Sequence, residues 1–64
     1  MSPTEFRRLQ RRAGLLNREV QQLCGVSDQT VINWRHGHTR VPGSAIALLR
    51  IIATNRDNRE THRI

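Results

Sequence analysis

Apolar residues recur along this chain at helical spacing, in three short stripes followed by a longer one. Phe6, Leu9 and Ala13 stand at i, i+3 and i+7, and Val20, Leu23 and Cys24 at i, i+3 and i+4. Val31 and Trp34 follow three apart, and then Ala45, Leu48, Leu49 and Ile52 share one side of a helical wheel. Such periodicity predicts amphipathic helices, each with one buried stripe. The polar residues between the stripes supply starts and stops. Ser2, Pro3 and Glu5 form an S-x-x-E capping box with proline at the first helical position, and Gly14 is a left-handed stop, so a first helix is predicted over about residues 3–13. Asn17 can cap a second helix, with Glu19 in its first turn and Gly25 breaking it. Ser27 caps a third that Gly37 ends.

The stretch "HGHTRVPG" reads as a loop, and a fourth helix is expected from near Ser44 to near Thr54. The last residues, "NRDNRETHRI", are almost wholly polar and are expected to be a frayed tail or a weak helical extension. The predicted organisation is therefore all-α: a compact domain of four, or with the tail five, helices over residues 1–54, and a polar C-terminal tail over 55–64. Helices two and three are separated by about three residues centred on a glycine, which defines a helix-turn-helix.

Composition narrows the function. The chain has 64 residues, eleven basic against five acidic, a net charge of +6, and every basic residue is an arginine. A chain this short buries only about 60% of its unfolded surface and gains from a partner. The charge points to a nucleic acid or an anionic membrane, and the planar guanidinium fork suits phosphates and guanine edges. The single cysteine, Cys24, cannot form an internal disulfide, and no signal-peptide pattern opens the chain, so a reducing bacterial cytosol is the expected location. The longest nearly apolar run, residues 44–53, contains Arg50 and is too short to cross a bilayer, so no membrane partner is expected.

The segment "LNREVQQLCGVSDQTVINWRHGHTRVPG" resembles the helix-turn-helix of the phage Cro and repressor family, also called xenobiotic-response-element-like regulators. Val20, Leu23, Gly25, Val26, Ser27, Val31, Trp34, Gly37 and Pro42 carry the likeness, which spans roughly residues 4–54. It implies a repressor-like fold and a homodimeric regulator, phage or bacterial, that binds an inverted-repeat operator on double-stranded DNA. Short regulators of this kind serve as Cro-like repressors, as autorepressors and as antitoxins. Four positions depart from the pattern. Gln21 replaces a small residue where the two helices pack closely. Leu16 replaces the serine or threonine before helix two, which moves the expected cap to Asn17. Arg35 and Gln10 stand where the family pairs a glutamate with an arginine, so that Arg35 is expected to be free for phosphate.

The residues give the same reading a physical basis. A major groove admits one helix while the preceding helix crosses the backbone. Asp28, Gln29, Ile32 and Asn33 project from the third helix as candidate base readers: amides suit adenine, an aliphatic suits a thymine methyl, and an acid accepts from cytosine. Asn17, Arg18, Thr30, Arg35 and Arg40 are candidates for phosphate contacts. Asp28 also stabilises the helix start by its charge, Gln29 and Asn33 have the plainer reading of solvated positions, and Arg7, Arg8, Arg11 and Arg12 read as a solvated helix face. Ala47 and Ile51 form a second apolar strip on the fourth helix, flanked by Arg50, and are the expected dimer interface.

His36, His38, Cys24 and distant His62 match no zinc spacing, no catalytic constellation is found, and no metal, cofactor or enzymatic activity is expected. From another class, the rival is a protein-interaction adaptor built on the same scaffold.

Overall fold

Helix α1 (Pro3–Ala13) starts where the Ser2 hydroxyl oxygen accepts from the Glu5 N–H, and it ends at Gly14, whose left-handed backbone directs its N–H to the carbonyls of Gln10 and Arg11. The computed structural model describes residues 1–61 and adds α2 (Asn17–Cys24), α3 (Asp28–His36) and α4 (Gly43–Thr61). The fold is all-α, with no strand among the described residues. Gly25, with φ +66°, turns the chain between α2 and α3 in a conformation that side chains with a Cβ rarely adopt. Ser27 then caps α3 by accepting from the Thr30 N–H at 3.3 Å.

One core holds the helices together. Phe6 and Leu9 of α1, Val20 of α2, Val31 and Trp34 of α3, and Ala45, Leu49 and Ala53 of α4 are all buried. Helix α1 packs against α4 and α3, and α2 packs against α3. Phe6 meets Trp34 edge to face, with centroids 5.8 Å apart and planes at 79°, the arrangement that ring quadrupoles favour. Val41 brings the loop after α3 into the same core.

Four sequence expectations change. Helix α4 does not stop near Thr54 but continues to Thr61, because Ala53 is fully buried, Arg12 pairs with Asp57 at 2.6 Å, and the Arg56 guanidinium lies over Gly14. These contacts fasten the polar extension to the end of α1; residues 62–64, His62 among them, lie outside the described residues. Leu23 is not a core residue: it is 45% exposed, since Val20 takes the buried position of α2. Leu48 is only half-buried, and Ala53 completes the inner stripe of α4 instead. Asn17 does not cap α2. The cap position is Leu16, whose N–H donates to Glu19 Oε1 at 2.9 Å, and Asn17 begins the helix.

Candidate nucleic-acid interface

Helix α3 buries Val31 and Trp34, and its opposite side carries Gln29, Ile32, Asn33 and His36 at i, i+3, i+4 and i+7. Gln29 is exposed and Ile32 and Asn33 are half-buried. The two amides are joined, Gln29 Nε2 donating to Asn33 Oδ1 at 3.0 Å. This bond engages one donor and one acceptor, so the pair still offers a carbonyl oxygen and further N–H groups. Asp28, exposed at the first position of α3, accepts from Gln21 Nε2 of α2 at 2.6 Å. Thr30 belongs to the cap: its hydroxyl lies 3.0 Å from that of Ser27.

Beside the end of α3 lies an open groove of about 610 Å³, lined by Arg7 and Arg11 of α1, Asn17 and Arg18 of α2, and Arg35 of α3, together with Gln10, Leu15 and Leu16. Four guanidinium groups border it and no carboxylate does. The first turn of α2 opens onto it, and Glu19 of that turn, which accepts from the Leu16 N–H, offsets the positive end of the helix dipole there. Such a lining favours an anion, and the fork of each arginine fits phosphate oxygens.

Gln10 forms the floor of this groove. It is the one buried polar residue among those described, and both its amide N–H groups and its carbonyl oxygen are engaged. Its Nε2 donates to the Leu15 carbonyl at 3.1 Å and to Asn17 Oδ1 at 2.8 Å, while its Oε1 accepts from Arg35 Nη1 at 2.7 Å. Arg35 is therefore not free, contrary to expectation. The bond to Gln10 orients it, and the remaining donors of its five-donor fork can still meet an anion. Arg7 adds a second tie, donating from Nη1 to the Arg35 carbonyl in the last turn of α3 at 2.9 Å, where a cation complements the helix dipole.

The structure thus brings Asn17, Arg18 and Arg35 together, and adds Arg7 and Arg11, which their sequence context presents as a solvated run. Arg8 and Arg12 lie on the other side of α1, with Glu5 and Arg50. Arg40 does not share the groove; it lies in the loop after α3, near Gly37, Thr39 and Pro3. His36 and Gln21 also join the candidate interface, the first by position on α3 and the second by its bond to Asp28. His36 was legible as the i+7 position from Gln29, whereas Gln21 gave only its excess size as a signal. Ala47, Arg50 and Ile51 are all exposed on α4, Ile51 at 60%.

The histidine rings of His36 and His38 are 6.1 Å apart, and no group of three or more His, Cys, Asp or Glu side chains is placed to hold a metal among the described residues. Burial pushes the Cys24 thiol above its ordinary pKa, which keeps it protonated and weakly nucleophilic. No described helix is long and apolar enough to cross a membrane. Comparison of the chain with protein-family models, with curated proteins and with solved structures finds no match.

Proposed function

We propose that the protein is a sequence-specific regulator that binds double-stranded DNA, a small repressor of the Cro-like or autorepressor kind that acts as a homodimer on an inverted-repeat operator in a bacterial cytosol. One observation carries the reading: the amides of Gln29 and Asn33, with Ile32 between them, stand on the outer side of α3 beside a groove lined by four arginines and no acid. The two halves suit the two chemistries of a duplex. Phosphates take guanidinium groups without regard to sequence, and base edges take amides, an aliphatic and a carboxylate. An adaptor protein would need neither the acid-free groove nor the amide row.

Selection of binding sites from a random duplex library tests this directly, followed by titration of the selected duplex across salt concentrations. A defined half-site, repeated in inverted order, is expected. The log of the binding constant should fall steeply with log salt, by about 0.9 per phosphate neutralised. Selection that enriches no sequence, or an affinity indifferent to salt, overturns the proposal.

A further inference from the structure

Gln21 occupies the second half of α2 and reaches across the turn to α3, where its Nε2 donates to Asp28 Oδ1 at 2.6 Å. The fold has little use for this bond. The start of α3 is already capped by Ser27, and the hydrogen bond is exposed, where water competes for both partners. What it fixes is orientation. One carboxylate oxygen is engaged from α2, and the other, Oδ2, remains an acceptor at the N-terminal end of the helix. That end is the part of a reading helix that meets base edges.

We infer that Gln21 is a positioning residue for base reading, holding Asp28 so that its Oδ2 accepts from the N4 amino group of a cytosine. The inference rests on the DNA-binding reading above. A carboxylate can only accept, and the major groove offers two donors, the amino groups of cytosine and adenine. Adenine sets its N7 lone pair beside its amino group, which repels a carboxylate, whereas the cytosine edge presents the donor alone. Guanine and thymine present acceptors, and the thymine methyl offers no hydrogen bond. A carboxylate among phosphates is also driven outward by charge repulsion. The tie to Gln21 opposes that rotation, and the positive end of the α3 dipole acts in the same direction.

The test uses the selected operator and four duplexes that differ only at the base pair whose preference Asp28→Ala abolishes. Wild type is compared with Gln21→Ala, Gln21→Met, Asp28→Ala and the Gln21→Ala/Asp28→Ala double variant, with thermal melting of each protein measured alongside. Gln21→Met keeps the length of the side chain and removes its donor without adding charge. Wild type should favour cytosine at that pair by about ten- to a hundred-fold, in line with the discrimination of a good base contact. Both Gln21 variants should lose most of this factor at that pair and nowhere else, with melting close to wild type. In the Asp28→Ala background, Gln21→Ala should change nothing further. Retained cytosine preference in both Gln21 variants, an equal loss on all four duplexes, multiplying losses in the double variant, or an Asp28-dependent preference for another base overturns the inference. A wild-type protein with no base preference at any position would overturn the DNA-binding reading as well.

Discussion

Arg35 of α3 donates from Nη1 to Oε1 of Gln10 on α1 at 2.7 Å, and through Gln10 it is joined to Leu15 and Asn17. A neutral amide thus does what an ion pair would do at this point, but it adds a donor that an acid lacks. Gln10→Leu keeps the volume and removes all three bonds. The Leu15 carbonyl, the Asn17 side chain and the Arg35 guanidinium then lose a partner in a half-buried setting. A loss of about 1–3 kcal/mol is expected, the cost of leaving buried polar groups unsatisfied. Urea denaturation checks it; a variant as stable as wild type would show that water replaces the amide freely.

Trp34→Ala should unfold the domain rather than only weaken recognition. Trp34 is 3% exposed and meets Phe6 edge to face, so its loss removes the largest core side chain and an aromatic contact. Such truncations cost about 3–5 kcal/mol. A chain of this length has about 3–10 kcal/mol in total. Far-ultraviolet circular dichroism at 25 °C should show lost helicity, and a cooperative transition at the wild-type temperature would contradict the packing.

The caps at Ser2, Gly14, Ser27 and Gly37 were legible because they are local: each acts on backbone groups a few residues away. The site was legible only in part, for the opposite reason. Gln10 is a polar residue on an apolar stripe, and what makes it worth burying is Arg35, 25 positions later in the chain. Arg7 and Arg11 read as a solvated run because nothing in their own helix distinguishes them from Arg8 and Arg12; the arrival of α2 and Arg35 does. The length of α4 was legible only as one of two alternatives, a frayed tail or a helical extension, and the extension is what forms as far as Thr61. Residues 55–61 carry no apolar period, and their helix is held by Arg12, Gly14 and the buried Ala53. Leu23 misled because periodicity places it on the inner side, while the half-buried Leu48 leaves it partly uncovered.

Gln29→Ala and Asn33→Ala should each weaken discrimination at particular base pairs, by about 1–3 kcal/mol. Because the two amides share a bond, the double variant should lose less than the sum of the single losses. Arg18→Ala and Arg11→Ala should instead weaken binding to all duplexes alike and lower the salt slope by about 1 each. Competition binding with single-base variants of the operator separates the two patterns. A changed site preference in Arg18→Ala would assign base reading to the groove.

Two glycines with similar backbones should differ in their tolerance of a side chain. Gly25 and Gly37 both have positive φ, +66° and +77°. A Cβ at Gly25 meets nothing within 4 Å, so Gly25→Ala carries only the left-handed backbone cost of about 1–2 kcal/mol. At Gly37 a Cβ would stand 2.5 Å from the Pro3 ring, which is fixed at the start of α1. Gly37→Ala should therefore be the more destabilising, and the ranking of the two melting temperatures decides it.

The dimer is expected to form through α4. Ile51 is 60% exposed, with Ala47 one turn before it, in a chain whose guanidinium groups otherwise crowd its surface. Two molecules of charge +6 repel unless they meet where charge is sparse, and the surface around Ile51 is lined, among the described residues, by Arg50, Thr54 and Asn55. A two-fold axis through the strip would bury the same residues from both copies and pair two α3 helices on one side of a duplex. The half-sites should then lie one helical turn apart, roughly 34–36 Å between centres. Ile51→Glu places a carboxylate at the axis, facing its own copy, without touching the core. Sedimentation of wild type should show a dimer, and the variant should sediment as a folded monomer and bind the operator more weakly, with its preference at each half-site unchanged. A folded Ile51→Glu variant that still dimerises moves the interface elsewhere, and a wild-type monomer on a non-palindromic site removes the two-fold arrangement altogether.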